Sequence, residues 1–354
     1  MNAPGIVVLY NVTDEVCKGE PQDLIAERGV ISCAETITQA LATAGYRVMP
    51  LPVRSEVEAC LSPYPPSETV VFNLAEGLGG RLFEEARIAF ALEAMGYSFT
   101  GSDGVTLALA ANKLYTKALL ADADIPTPTA FLLDGADGLP DEHLPGALIV
   151  KPVAEDASQG IDEDAVVTTV QALRERVAYV VERYEQAALA EEFIAGREFN
   201  VAVWGNAPAV VLPLAEVDFS AFHDSLECIV SYAAKWLEDS FSYSHTPVRC
   251  PADVSPEIGQ RLVDVAHRAY QALGCSDYAR VDIRLDSAGT PYVIDVNPNP
   301  DLSPDAGFFR ACRTAGYTYT QMVERILSFA LQRGGEDDLN SYRTRWRAAN
   351  RPGC

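Results

Sequence analysis

Hydrophobic and polar positions alternate with a period of two at two neighbouring places near the C-terminal end of the chain. Val281, Ile283 and Leu285 alternate with Arg280, Asp282 and Arg284, and Tyr292, Ile294 and Val296 alternate with Val293, Asp295 and Asn297. That period predicts two half-buried strands, and Asp286-Ser287-Ala288-Gly289-Thr290 between them has the composition of a turn. Folded as a hairpin, the pair brings Asp282 toward Asp295 and Asn297, with Arg280 beside Asp282 on one strand face. Two carboxylates and an amide oxygen are hard ligands of the kind Mg²⁺ accepts. An arginine beside them can stabilise negative charge forming on a phosphorylated intermediate. An acidic surface hairpin would alternate in the same way. The Asn297-Pro298-Asn299-Pro300 exit and the rest of the chain favour a site.

Toward the N-terminus the apolar runs are short and rich in valine and leucine, at 6–10, 46–53 and 69–74. Between the first two lies a helical stripe, Ile37, Ala40, Leu41 and Ala44. Ser32 and Glu35 have the spacing of a capping box at its start, and Gly45 closes it. This alternation of strand and helix predicts a doubly wound parallel α/β domain over residues 1–105. The polar stretch 11–29 has no regular period. After the third run come Ala75, Glu76, Gly77 and further glycines up to Arg81, just past a strand's C-terminal end, where ligands bind such sheets. Residues 82–95 read as a helix, with Glu84 and Glu85 as favourable charges near its start.

From 106 onward the period changes repeatedly. A helix opens at Asn112-Lys113, a strand is expected at 130–133, and 134–146 is a loop rich in Gly, Pro and Asp. A buried strand at 148–150 ends in Lys151, which then points toward a cleft. The small, polar segment 155–161 has a mobile-loop composition. A strand and a helix fill 165–185, and apolar strands follow at 188–193 and 199–204. Residues 216–250 are long and aromatic, the character of a lid, and contain Lys235. Ser255-Pro256 starts a helix with the stripe Ile258, Leu262, Val265, Ala269 and Leu273, ended by Gly274. Residues 308–331 are mostly helical. The expected division is 1–105, 106–192, 193–332 and a polar tail, 333–354.

The net charge of −23 repels phosphate backbones and argues against a nucleic-acid partner. No run reaches the roughly 18 apolar residues of a membrane span, and the first residues lack the basic start of a signal peptide. Eight scattered cysteines without a Cys-x-x-Cys pair suit the reduced thiols of a cytoplasmic protein.

The order of these parts resembles the ATP-grasp superfamily, and within it the D-alanine–D-alanine ligase branch, over roughly residues 5–330. The motifs that carry the resemblance are Asn112-Lys113 with Thr116-Lys117, Val150-Lys151-Pro152, Glu191-Glu192-Phe193-Ile194 with Gly196-Arg197-Glu198-Phe199, Tyr232 to Lys235, and the hairpin. The resemblance implies an α/β fold, α+β in its C-terminal part, with two α+β lobes enclosing a nucleotide. It implies ATP and two Mg²⁺ ions, with Mn²⁺ able to take the same ligands, and small-molecule carboxylate and amine substrates. It also implies a homodimer through the N-terminal domain. Lys113 and Lys151 resemble the lysines of the nucleotide cleft. Glu191, Glu192 and Phe193 resemble the adenine-binding segment, and Glu198 the ribose carboxylate. Asp282, Asp295 and Asn297 match the metal ligands. Lys235, Ser158 and Arg280 resemble the lid lysine, a serine near the γ-phosphate and the arginine that stabilises the acyl phosphate.

Departures from the dipeptide ligases fall at substrate positions. Their His-Gly is Glu76-Gly77 here, the first of their paired loop serines is Ala157, and their lid tyrosine is Trp236. Their acceptor-binding serine corresponds to Ala306, in a loop that also carries Asp301 and Ser303. Tyr232 is a further candidate substrate contact. Glu27 and Arg28 lie near the place of the glutamate that holds the first substrate's ammonium. His223 and His245 flank the lid, and His267 reads as an ordinary helix residue. These departures argue against D-alanine. Three functions stay open at this point: an amide-forming ligase, a ligase with a hydroxyl acceptor, and a nucleotide-binding protein without catalysis.

Overall fold

The computed structural model describes residues 5–78, 81–135 and 143–333. Its first sheet joins β1 (Gly5–Asn11), β2 (Val48–Val53), β3 (Thr69–Asn73) and β4 (Ser98–Phe99), all parallel, in the order β2-β1-β3-β4. α1 (Leu24–Thr43), α2 (Val57–Leu61) and α3 (Glu84–Ala94) lie between the strands in sequence. β1 is an almost unbroken apolar run because both of its faces are covered. Ile6, Val8 and Tyr10 pack with Val30 and Ile37 of α1, while Val7 and Leu9 pack with Ala86 and Ile88 of α3. The doubly wound parallel sheet expected from strand–helix alternation is therefore present.

The start of α1 differs from the expectation. The helix begins at Leu24 behind a 3-10 turn at Pro21–Asp23, so Ser32 and Glu35 lie inside it and cap nothing. The Ser32 hydroxyl donates to the Gly29 carbonyl at 3.1 Å. Serine makes such local bonds inside helices as well as at their ends, and spacing alone does not separate the two. The entry is set upstream, where the Glu20 amide donates to Asp23 Oδ2 at 2.8 Å. Part of the polar stretch 11–29 is thus helix. Gly45 does end α1, with φ +95° and its amide on the Ala42 carbonyl.

α4 (Gly104–Ala110) and α5 (Lys113–Asp122) lead to a second, antiparallel sheet. It contains β5 (Ala130–Leu133), β6 (Leu148–Pro152), β7 (Val166–Val167) and, after α6 (Val170–Tyr184), β8 (Ala188–Glu192), in the order β5-β8-β6-β7. Leu173, Val177 and Val180 of α6 cover Val150 and Ala190.

The third sheet begins with β9 (Arg197–Trp204), β10 (Val210–Val211) and β11 (Ala215–Val217). After the short helices α7 (Tyr232–Trp236) and α8 (Phe241–His245) come β12 (Val248–Arg249), α9 (Pro256–Ala272), β13 (Tyr278–Leu285) and β14 (Pro291–Asn297). The order is β12-β11-β9-β13-β14, with β10 on β9. The predicted stripe of α9 packs on Val281 and Ile283. α10 (Gly307–Thr314) and α11 (Tyr319–Arg333) share one apolar core with α1, β1 and Trp204, which joins the first and third sheets.

The β13–β14 hairpin forms, with one change of parity. Asp282 opposes Asp295, but Ile283 opposes Val293, so Ile294 is the extra residue of a β-bulge. Val293 and Val296 therefore both enter the core, at 0% and 2% exposure, and Ile294 joins the cavity wall. The expected grouping of Ile294 with Val296 on one face fails for that reason.

Gly79 and Gly80, residues 136–142 of the expected loop and residues 334–354 of the polar tail lie outside the described residues. Among the described residues no helix is long and apolar enough to cross a membrane, and the cysteines there are free.

Asp277, 0% exposed, ties the first and third sheets together. It accepts from Arg333 Nη2 at 2.8 Å, from the Gly101 amide at 3.0 Å and from Asn206 Nδ2 at 3.0 Å. Arg333 also donates to the Phe99 and Gly101 carbonyls. Removing one partner of a buried ion pair leaves the other uncompensated, at about 3–5 kcal/mol. Asp277→Ala is expected to lose that amount in denaturant unfolding. A loss under about 1 kcal/mol would mean that apolar packing alone holds the two sheets together.

Candidate active site

A cavity of about 650 Å³ opens between the three sheets. Its first wall belongs to the second sheet. Lys151 at the end of β6 binds Glu191 Oε1 of β8 at 2.6 Å, and Lys117 of α5 binds Oε2 at 2.7 Å. Burial opposes ionisation of Glu191, but the two lysines outweigh it and hold the carboxyl below its usual range. Lys113, the first residue of α5, is placed by its helix cap. Asn112 accepts from the Leu114 and Tyr115 amides, and the Lys113 amide bonds the Val153 carbonyl beyond β6. Its ammonium lies 3.8 Å from Asp295 Oδ2.

The opposite wall is the third sheet. Asp282 and Asp295 face each other across the β13–β14 ladder, with Arg280 opposite Asn297. Arg280 grips Asp282 with two bonds, Nε to Oδ1 at 2.8 Å and Nη2 to Oδ2 at 2.9 Å. Asn200 of β9 donates to the same Oδ1 at 2.9 Å. Glu198, two residues before Asn200 on the same face of β9, pairs with Arg284 at 3.4 Å. Burial would raise Asp295, but Lys113, Lys151, Arg280 and Lys235 hold it below its usual range. Burial and the nearby Arg280 charge depress the Lys235 ammonium. This wall is dense in cations and keeps Asp282, Asp295 and Asn297 together. The donor set, two carboxylates and an amide oxygen, suits Mg²⁺ shared with a phosphate chain.

The lid folds down on the loop at 155–161. Ala157 and Ser158 both have positive φ, +49° and +62°. The Ser158 hydroxyl donates to the Val230 carbonyl at 2.8 Å, and Trp236 Nε1 donates to the Ala157 carbonyl at 2.9 Å. Strained backbone of this kind persists only where its surroundings hold it. Phe222 packs edge to face on both Phe219 and Phe241, so these lid aromatics serve packing.

Most residues singled out from the sequence meet on this cavity, including Glu76, Gly77, Glu192, Phe193, Trp236 and Asp301. Tyr232 does not line it. The residue is buried and its hydroxyl donates to the Gln22 carbonyl, so it braces the lid against the N-terminal segment. Ser303 is also off the wall, its amide turned to Asp301 Oδ1. Neither His223 nor His245 lines the cavity, and His245 stacks on Phe241. Several site residues had no reading as such. Lys117 could have been found as the residue one helical turn beyond Lys113, and Asn200 from its parity with Glu198 on a strand. Asp156 and Gln159 had no comparable signal. Glu84 and Glu85, read as helix-end charges, both line the cavity, and Glu84 also pairs with Arg87 at 2.8 Å.

The family model for the C-terminal domain of D-ala D-ala ligases matches residues 141–328. A D-alanine–D-alanine ligase of Desulforudis audaxviator is 31% identical over 318 residues, covering 88% of this chain and 96% of the relative. The chain belongs to the D-alanine–D-alanine ligase family. It is therefore an ATP-grasp enzyme, an ATP-dependent ligase that forms C–N bonds. Another relative, uncharacterized protein y4sG of Sinorhizobium fredii, is 33% identical over 316 residues, 88% of this chain and 89% of its own. The fold matches a D-alanine–D-alanine ligase of Bacillus anthracis solved in complex with ATP, with a TM-score of 0.72 and 20% identity. That match covers 94% of this chain and 99% of the other.

The lining of the ligase cavity also carries carboxyls drawn from several other segments. Burial, reinforced by the Asp156 carboxylate, pushes Glu27 up to about 7 and Glu85 up to about 8. Hydrogen bonds from Gln159 and Asn299 oppose the shift at Glu27 and Glu85 respectively. Glu76 is raised well above its usual range by burial and then by Asp156, Asp301, Glu85 and Glu27. A carboxyl raised in the folded state binds more protons there than in the unfolded chain, so its contribution to stability is lost as pH rises. The ligand-free protein is expected to lose thermal stability between roughly pH 4.5 and pH 8, and Glu85→Gln should flatten that slope. A slope unchanged by Glu85→Gln in thermal melts across this range would contradict the assignment.

Proposed function

We propose that this ligase activates a small-molecule carboxylate and joins it to an amine, as an amide or peptide bond, and that neither substrate is D-alanine. The observation that carries the reading is the pairing of walls. Asp282, Asp295, Asn297 and Arg280 on one hairpin line the same cleft as Lys113, Lys151 and Lys235, with Lys113 3.8 Å from Asp295. When bound, ATP with Mg²⁺ would supply the phosphoryl group that turns the carboxylate into an acyl phosphate.

Asp282, Asp295 and Asn297 would hold the metal, and Lys113, Lys151 and Lys235 would neutralise the phosphate chain. Glu191 and the main chain around Phe193 suit the adenine edge, with Glu198 at the ribose. Arg280 feels the charges of Asp282, Asp295 and Asp301, and it lines the same cavity as all three. Its guanidinium would offset charge on the reacting carboxyl in both steps, as preorganised donors do. Trp236, Ser158 and the lid would exclude water, which would otherwise hydrolyse the activated acid. The doubt about D-alanine rests on Glu76, Ala157, Trp236 and Ala306. Pocket polar groups that a substrate leaves unpaired disfavour it strongly.

ADP release against a panel of amino acids, short peptides and hydroxy acids tests the reading. D-alanine is expected to be a poor substrate, and D-alanyl-D-alanine as the main product would refute the substrate claim. Arg280→Ala and Asp295→Asn should each lower turnover by roughly 10²-fold or more. Nucleotide binding, measured by calorimetry, should survive in Arg280→Ala. Turnover at the wild-type rate in either variant would remove the role given to that residue.

A further inference from the structure

Between β1 and α1 the chain reaches α6 of the second sheet before it returns to the first. The Gly19 amide donates to the Arg183 carbonyl at 2.8 Å. Arg183 grips both carboxylate oxygens of Glu20 at 2.9 Å, and the Tyr184 hydroxyl donates to Asp23 Oδ2 at 3.2 Å. Thr13, Glu15, Val16, Cys17 and Lys18 of this strap line the cavity. Of residues 12–23 only Asp23 is buried, so polar bonds and not apolar packing hold the strap down. Segments with few buried apolar contacts open at little cost in free energy.

Tyr184, the last residue of α6 and 1% exposed, is touched on two edges of its ring. A Cβ added at Gly19 would lie 2.9 Å from its Cε1, and one added at Gly160 would lie 3.1 Å from its Cε2. Gly19 belongs to the strap and Gly160 to the 155–161 loop, and both have positive φ, +83° and +70°. Glycine takes that conformation at no steric cost and lets main chain approach a ring this closely. Two segments far apart in sequence thus bear on one side chain. A second joint accompanies the first, because Lys18 of the strap pairs with Glu155 at the start of the loop. The Glu155 carbonyl in turn accepts from the Lys113 ammonium, and the Gly160 carbonyl accepts from Arg176 of α6 at 2.6 Å. Tyr184 itself does not line the cavity.

We infer that Tyr184 is a positioning residue that couples the strap to the 155–161 loop, so that a nucleotide seated at the loop also closes the strap over the cavity. The inference rests on the proposed function only in placing the phosphate chain beside Lys113 and Ser158. A phosphate chain there holds the loop in its strained form. Gly160 then fixes one edge of the Tyr184 ring, Glu155 is set for Lys18, and the strap finds both anchor points in place. Without them, ordering the strap costs conformational entropy that nothing at the loop offsets. The strap is then a third cover beside lid and loop, and keeps water from the activated acid.

Hydrogen–deuterium exchange on the full chain tests this, with and without a non-hydrolysable ATP analogue and Mg²⁺. In the wild type the analogue is expected to slow exchange by about tenfold or more in residues 17–23 as well as in 155–161. Lys18→Met combined with Gly19→Ala breaks both joints from the strap's side and leaves the core untouched. In that variant 155–161 should still respond, while the response of 17–23 falls below about twofold. Tyr184→Leu with Lys18→Met should behave alike, and Tyr184→Phe with Lys18→Arg should keep the full response. A residue that merely props the strap would raise its exchange equally with and without the analogue. Tyr232 of the lid also reaches the strap, at the Gln22 carbonyl, so Tyr232→Phe is the control and should keep the response.

Three results overturn the inference and leave the nucleotide site in place: a wild-type strap that ignores the analogue while the loop responds, a strap that still responds in Lys18→Met/Gly19→Ala, or a response lost in Tyr232→Phe. An analogue that binds by calorimetry yet slows neither segment overturns it as well. An analogue that does not bind at all refutes the assignment of the nucleotide site and the coupling together.

Discussion

Glu191 can leave water only because Lys117 and Lys151 leave with it. An isolated ion of that kind costs several kcal/mol to bury, and the cost is offset only when geometry and partners are good. Here one carboxylate, 2% exposed, satisfies two ammonium groups brought by α5 and β6. The arrangement fixes the mutual positions of α5, β6 and β8. Two ammonium groups on one carboxylate leave this cluster with a net positive charge, the condition for attracting a phosphate chain.

The same accounting divides the whole cavity. On the hairpin side, Arg280 and Asn200 satisfy Asp282, while surrounding cations keep Asp295 ionised. Elsewhere on its lining Glu27, Glu76 and Glu85 are raised instead, by burial first and by neighbouring carboxylates second. One cavity thus carries both ionised, cation-paired carboxylates and carboxyls that burial keeps protonated, with Arg280 and Asp301 on the same lining.

Closure of the lid connects the three sheets. Trp236 bonds the strained loop of the second sheet, and its ring packs at Gly29 of α1, where an added Cβ would come within 3.4 Å. Tyr232 reaches the carbonyl of Gln22. The lid therefore rests on both neighbours at once, and residues distant in sequence are brought onto a common wall. Asp277 and Arg333 make the corresponding link on the far side of the first and third sheets.

The sequence by itself determined the parts whose physics is local. Periods of two and 3.6 marked the parallel sheet, the α9 stripe and the hairpin. Motif spacing led to the ATP-grasp family and to the residues of the phosphate-facing walls. Local signals failed where they were ambiguous. Ser32 and Glu35 have capping-box spacing inside a helix, and no period reveals the bulge at Ile294 that sends both Val293 and Val296 into the core. Only the tertiary structure decided that Glu27, Glu76, Glu85, Asp156 and Asp301 line one cavity, and that Tyr232 does not. Whether a charge faces solvent, a partner or a cavity depends on what other segments bring beside it, and that information is not carried within a few residues of the charge.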